Sequence, residues 1–377
     1  MCSANSSVLS DTPFDFPAIV WHFSPKLLYL RPIMRFIHTL LYHLLFALWW
    51  LFSALPLALH YLGADILYFI VRYVVRYRRD VVRRNLQECF PELSRHKRNM
   101  IERRFYLFFC DYIVESIKFF SISKRELRYR MEFRGLERIN ESLANGRSCA
   151  VFLGHYCNWE WISSLPLWVD PNVGRCLQLY HPLSNKAIDR LMGYVRERMG
   201  STNIKMKESI RHIARYKKEG VSVLVGFIAD QAPKWDNINY WIPFFNHDAP
   251  VLTGAERIAR KMDMDCYFLH VQRKRRGRYV AEFQLMTDTP QQKPENWVTE
   301  EYTRRMEANI REQPSYWLWT HERFKRTRQG YIDRLRKLGR SGSFDTEKFF
   351  DHEHPQGISI ADWIKENAAA ASAENRQ

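Results

Sequence analysis

At 377 residues, with 46% hydrophobic and 15% aromatic side chains, the chain buries one large core or two modest ones, and its composition excludes an intrinsically disordered polypeptide. A formal net charge of +16 and a pI near 9.5 call for an anionic partner: nucleic acid, an anionic membrane surface, a phosphorylated substrate or an acidic protein. Seven scattered cysteines without a C-x-x-C pair argue against a zinc site or a disulfide framework and fit a reduced, cytosol-facing chain, and no Gly-rich phosphate loop supports nucleotide binding.

From Phe36 to Ala64 there is no Asp, Glu, Lys or Arg, and the core from Leu44 to Phe52 is long enough with its flanks to cross a hydrocarbon layer of roughly 30 Å. This predicts a transmembrane or membrane-embedded helix, with Pro56 marking a kink or splitting it into two segments. A cleavable signal peptide fits less well, because the apolar run starts late and is followed by positive charge. Arg72, Arg76, Arg78, Arg79, Arg83 and Arg84 come next, and such an excess marks the cytoplasmic side. The same arginines can hold the domain against anionic lipid, each contributing about 1 kcal/mol near a charged leaflet.

Residues Lys97 to Ser121 repeat Phe105, Phe108, Phe109, Tyr112, Ile113 and Phe120 at helical steps, predicting an amphipathic helix whose aromatic stripe is core or membrane-facing packing. A polar connection runs from Lys124 to Arg134. Beyond it, strands Cys149–Leu153, Cys176–Tyr180, Val221–Ile228, Cys266–Val271 and Tyr279–Leu285 alternate with helices near Trp159–Trp168, Asn185–Met199, Lys207–Lys218 and Leu252–Lys261. The pattern is that of an α/β sheet with helices on its faces. From Thr327 onward apolar periodicity fades, predicting a surface helix and a frayed tail.

The first predicted strand runs into Gly154-His155-Tyr156-Cys157-Asn158-Trp159-Glu160. Across a turn-to-helix junction His155 and Glu160 can face one cleft, where a carboxylate fixes the imidazole tautomer and the other ring nitrogen takes a proton from a hydroxyl. A nearby helix N-terminus can steady an oxyanion or hold a phosphate. Cys157 as a thiol nucleophile and a metal held by His155, Glu160 and His181 are weaker alternatives, since neither spacing matches a known arrangement. Taken alone, one His-x4-Glu spacing is a weak signal.

These residues resemble the first motif of the membrane-bound late acyltransferases of lipid A biosynthesis, in the wider glycerolipid acyltransferase superfamily. Other blocks follow in order: Leu179-Tyr180-His181-Pro182-Leu183-Ser184-Asn185; Gly226-Phe227-Ile228-Ala229-Asp230-Gln231 with Pro243-Phe244-Phe245 and Thr253 to Arg260; and Trp317-Leu318-Trp319-Thr320-His321-Glu322-Arg323-Phe324-Lys325, similar to a terminal W-x-W-x-H-x-R-x-K signature. The resemblance spans roughly residues 30 to 326. The chain departs from it at His181, where many members carry a basic residue.

The resemblance implies an α/β fold with a glycerolipid-acyltransferase-like mixed sheet flanked by helices. It implies transfer of a fatty acyl chain from acyl carrier protein to a lipid A precursor at the cytoplasmic face of the cell inner membrane, with no cofactor, metal or nucleic acid. His155 is then the general base and Glu160 its partner, and Asn158, Trp159, His181, Asp230, Gln231, Arg323 and Lys325 bind substrate. Asp230 and Gln231 end a strand, as a substrate-contacting pair or with Asp230 as a turn cap; Arg323, Lys325 and Arg326 are candidates for binding phosphate or the acidic carrier. The expected organisation is an extension over 1–32, an anchor over 33–75, the acyltransferase domain over 76–326 and a C-terminal extension over 327–377. A lysophospholipid, aminolipid or glycolipid mannoside acceptor, and a non-catalytic membrane-anchored binding protein, are the alternatives.

Overall fold

The computed structural model describes His43, residues 46–182 and residues 186–340. Expectations for the extension over 1–32, for Cys2, for the apolar residues before 46 other than His43, for Leu183, Ser184 and Asn185, and for the tail after 340 lie outside the described residues. The chain forms two compact units, Met1–Trp49 and Trp50–Gln377. Within the first, residues 46–49 are helical.

The second unit opens with helical residues 50–54, which stop before Pro56 because proline cannot supply the next backbone donor. The freed carbonyls of Ser53, Ala54 and Leu55 accept hydrogen bonds from Lys118 Nζ at 3.1, 3.3 and 2.9 Å. Helix α1 (Leu57–Phe69) follows and runs into a π-helical turn, Ile70–Val74. Leu57–Val74 is the stretch long and apolar enough to cross a membrane among the described residues, and 22% of it is buried. Leu59, Leu62, Ile66, Phe69 and Tyr73 recur at steps of three and four, each more than 40% exposed, so one stripe of this helix is uncovered by protein. Among the described residues this stretch starts just after the break at Pro56 and lies within the anchor expected over 33–75.

After helix α2 (Arg79–Cys89) comes α3 (Arg95–Lys118), which packs against both α1 and α2 and starts where Ser94 Oγ accepts from the Lys97 amide. The arginine cluster is built into this layer. Arg72, Arg79 and Arg83 converge on the buried Glu102 carboxylate at 3.4, 2.9 and 2.9 Å. On α3 the predicted stripe is core, with Phe105 and Phe108 almost fully buried.

The segment from Lys124 to Arg134, expected as a connection, holds α4 (Lys124–Arg130) and strand β1 (Met131–Arg134). Then come α5 (Leu136–Ala144), β2 (Cys149–Leu153), a 3-10 helix (Trp161–Leu167), β3 (Arg175–Tyr180), α6 (Lys186–Glu197), β4 (Thr202–Lys205), α7 (Ser209–Lys218) and β5 (Val223–Ile228). A hairpin, β6 (Tyr240–Phe244) and β7 (His247–Val251), leads to α8 (Gly254–Met262), the long pair β8 (Asp265–Arg275) and β9 (Arg278–Thr287), α9 (Trp297–Glu312) and α10 (Arg328–Arg340). Tyr331 and Leu335 of α10 bury against Ile238 and Trp241.

The seven-stranded sheet has the order β1-β9-β8-β2-β5-β3-β4, with every pairing parallel except β8–β9. Strand β2 is buried at every position because a central parallel strand is covered on both faces, which is why Cys149-Ala-Val-Phe-Leu153 reads as one apolar run. From β2 the chain moves past β5 to reach β3, and from β5 it moves back past β2 to reach β8. Right-handed crossovers in opposite directions cover opposite faces, so a crevice opens at the carboxyl ends of β2 and β5.

Glu115 of α3 ties the helical layer to this crevice. Its buried carboxylate accepts from Tyr61 (2.8 Å), Asn158 (2.7 Å) and Tyr279 (2.7 Å). Replacing it leaves three buried donors unpaired, so Glu115→Ala is expected to cost about 3–5 kcal/mol. Thermal unfolding of the purified chain checks this; an unchanged transition would show that the carboxylate is not a structural hub.

Candidate active site

Strand β2 ends at Leu153 and β5 at Ile228, which are register partners, so the residues just beyond them meet. His155 Nδ1 lies 2.7 Å from Asp230 Oδ1, and the His155 amide donates to Asp230 Oδ2 at 2.9 Å. Trp317 Nε1 donates to the same Oδ2 at 2.8 Å. An ionised carboxylate only accepts, so Nδ1 carries the proton and Nε2 presents its lone pair. Gln231 Nε2 is 3.3 Å from that Nε2. Burial works against the imidazolium, but the Asp230 charge and hydrogen bond outweigh it and Glu160 adds a smaller push, so the His155 pKa is raised. Burial likewise opposes ionisation of Asp230, yet His155 and the donated bonds hold its pKa below the ordinary value.

The expected partner of His155 was Glu160; the structure puts Asp230 in that position. After His155 the backbone turns through Cys157 in a left-handed conformation (φ 52°), and Glu160 comes out at the head of the 3-10 helix, paired with Arg196 of α6 at 3.4 Å. The Asp230 side chain is 2% exposed, and its oxygens are taken by His155 and Trp317. Asn158 is buried as well, donating to Glu115 and accepting from the Trp161 amide at 3.0 Å, so it fixes the turn rather than facing a ligand. Trp159 stands edge-on to the His155 ring, centroids 5.2 Å apart, and stacks on Tyr112 at 4.1 Å. The Cys157 thiol is fully buried, which pushes its pKa far up and leaves it unsuited to nucleophilic attack.

The terminal signature wraps this pair. The amide of Leu318 donates to the His155 carbonyl (3.1 Å), that of Cys157 to the Tyr316 carbonyl (2.9 Å), and Asn85 of α2 holds the Trp319 and His321 carbonyls at 2.9 Å. Arg323 is 1% exposed, which corrects the expectation that it contacts an external phosphate or carrier. It stacks over Phe244 at 5.3 Å, and burial lowers its pKa to about 10. His321 accepts from the Ala232 amide at 3.3 Å; burial, then Arg323 and Lys325, drive its pKa down to about 4, so it stays neutral. Lys325 is exposed.

A cavity of about 480 Å³, reached at Trp159 and Glu160, runs down the face of β2, β5 and β3 under the 3-10 helix and α6. Its wall is apolar, with Leu153, Val151, Leu224 and Ile162 among the lining residues, while Trp159, Glu160, Arg196 and the exposed His181 stand towards the carboxyl ends of the strands. The aromatic stripe of α3 does not line it, since those rings face the core on the other side of Trp159.

A histidine held on a buried carboxylate, with Trp159 between it and an apolar cavity, is an arrangement that suits acyl transfer. The profile of bacterial lipid A biosynthesis acyltransferases matches residues 22–326. The chain belongs to this acyltransferase family. It is 26% identical over 292 residues to a lipid A biosynthesis lauroyltransferase of Escherichia coli (strain K12), covering 76% of this chain and 91% of that protein. It is 22% identical over 176 residues to a lipid A biosynthesis acyltransferase of Haemophilus influenzae (strain ATCC 51907 / DSM 11121 / KW20 / Rd), covering 47% of this chain and about half, 54%, of that protein.

For an acyltransferase with this geometry, the residues that sequence reasoning passed over are Trp317 as a donor to Asp230 and Glu115 as the anchor of Asn158. A charged residue on the apolar face of a helix was the available signal for Glu115.

If His155 is the base it must first lose its proton, and since Asp230 holds that proton on, the acidic limb of kcat/KM is expected above the ordinary imidazole value. In Asp230→Asn the limb is expected to move to lower pH while the plateau falls by about 10²–10⁴-fold. Glu160→Gln, which removes only the smaller push, is expected to move the limb slightly. A pH–rate profile in which Glu160→Gln gives the larger effect would reverse the two assignments.

Proposed function

We propose that this acyltransferase moves a fatty acyl chain from an acyl carrier protein thioester to a hydroxyl of a lipid A precursor, with His155 as general base. The observation that carries the proposal is the His155–Asp230 pair next to Trp159, which stands edge-on to the imidazole and lines an apolar cavity. His155 Nε2 takes the hydroxyl proton as the oxygen attacks the thioester carbon, and the C–O bond forms. The tetrahedral intermediate then expels sulfur, the C–S bond breaks, and the imidazolium returns its proton to the leaving thiolate. Asp230 stays ionised throughout and keeps the imidazole in one tautomer. The chemistry is complete without a cofactor or metal.

The names of the relatives support a lipid A acceptor, and charge supports an acidic donor. A net charge of +16 suits an acidic carrier and a phosphorylated acceptor on an anionic surface, with no nucleic acid required. The exposed apolar stripe of α1 supports seating on or in the inner membrane, with the domain over 76–326 on the cytoplasmic face, the anchor over 33–75 and the segment over 327–377 as an extension. In this reading Trp159, His181 and Gln231 meet substrate in the crevice, and Lys325 meets an anionic group outside it.

Incubating the purified chain in detergent with acyl carrier protein thioester and a lipid A precursor, followed by mass spectrometry, tests the reading. One added acyl group is expected, and His155→Ala is expected to lower the rate by about 10²–10⁴-fold. Full transfer by His155→Ala would sink the base assignment. Acylation of a lysophospholipid or aminolipid with lipid A untouched would change the acceptor.

A further inference from the structure

A glycine in the middle of a buried strand is unfavourable unless something requires it, because it loses more freedom on folding than other residues and leaves nothing to pack. Gly226 sits in the centre of β5 and has no such structural reason. Its backbone is not in the left-handed region, and a Cβ built on it would meet only Leu153 Cδ2, at 3.8 Å, an ordinary contact. What lies in front of it is the cavity.

The register explains how that space arises. Across three adjacent strands Val151 of β2 pairs with Gly226 of β5, and Gly226 pairs with Gln178 of β3, and all three line the cavity. Nearer the catalytic end the row is Leu153 with Ile228; deeper in, it is Cys149, Leu224 and Cys176. Partners in a parallel sheet point to the same face, so the missing side chain is a gap in the middle row, about 7 Å along the strands below the Leu153–Ile228 row. Gln178 cannot swing in to fill it, because its Nε2 donates to Ser201 Oγ at 2.9 Å and Ser201 is held in turn by the Ser163 carbonyl at 3.2 Å.

We infer that Gly226 sets the usable depth of the acyl-chain cavity and is the position that determines which chain lengths this enzyme accepts. The inference rests on the reading that the cavity holds the acyl chain. Any side chain at 226 projects into the path of a chain descending from the thioester and shortens it in proportion to its size.

A graded series, Gly226→Ala, Gly226→Val and Gly226→Leu, tests this with saturated acyl carrier protein thioesters of increasing length. The expected result is a fall of about 10–200-fold in kcat/KM for the longest productive donor in Gly226→Val, with the shortest productive donor changed by less than about twofold and Gly226→Ala in between. Loss of activity equally at all lengths, or no change in the length profile, would overturn the inference. Calorimetric titration of saturated free fatty acids of the same lengths into the wild-type chain and Gly226→Val, with thermal unfolding as the fold control, reads the cavity independently of turnover. If the wild-type chain transfers no acyl group yet Gly226→Val selectively loses the longer fatty acids, the depth assignment stands and the acyl-transfer reading fails. If both proteins bind all lengths alike, the depth assignment itself is wrong.

Discussion

The buried carboxylate of Asp230 is the constraint to which the rest of the crevice answers. It has no solvent to neutralise it, so it must be surrounded by donors, and it takes them from three places: the imidazole of His155, the backbone of His155 and the indole of Trp317. Those donors belong to segments far apart in the chain. One charge therefore ties the end of β2, the end of β5 and the terminal signature into a single unit. Breaking such a buried pair from one side costs about 3–5 kcal/mol, because the other charge is left uncompensated, so positioning the base and holding the domain closed are the same interaction.

The backbone around the pair is fixed just as firmly. Tyr302 of α9 donates to the Leu153 carbonyl at 2.9 Å, and Tyr156 donates to the Asn309 and Gln313 carbonyls at 3.1 and 2.9 Å. Gly154 is small because the space is taken: a Cβ there would overlap Met306 and come within 3.2 Å of the Asp230 carboxyl carbon. A catalytic geometry is only as good as the shell that locks it, and here α9 and the signature supply that shell.

Much of this was legible in the sequence, and the limits follow from range. The apolar run before His155 reads directly as a central strand, because burial on both faces removes the need for polar alternation. The ordered blocks located His155, Asp230 and the signature individually. What could not be read was which carboxylate reaches the imidazole, since Glu160 is near in sequence while Asp230 is brought near by the β2–β5 register. The same holds for Arg323, whose place in a charged run suggested an exposed face; the aromatic rings of Phe244 and Phe324 and the field of Asp230 receive it inside. Strand β1 was hidden because an edge strand of four residues between charged neighbours carries too little apolar pattern to register.

The burial of Arg323 bears on how the site stays charged. A guanidinium with Nε and Nη1 unpaired in the core is costly, and burial lowers its pKa, but the Asp230 charge acts in the opposite direction. Cation and anion share one low-dielectric region, where each favours the ionised form of the other. Asp230 can then remain an anion, which holds a proton on His155 Nδ1 and leaves Nε2 as the ring's open position. The neutral His321 beside them contributes a lone pair to the Ala232 amide and no competing charge. The signature that looked like an external binding strip thus forms the inner electrostatic wall around Asp230, while Gln231 stands at His155 Nε2 and Trp159, His181 and the row interrupted at Gly226 line the cavity.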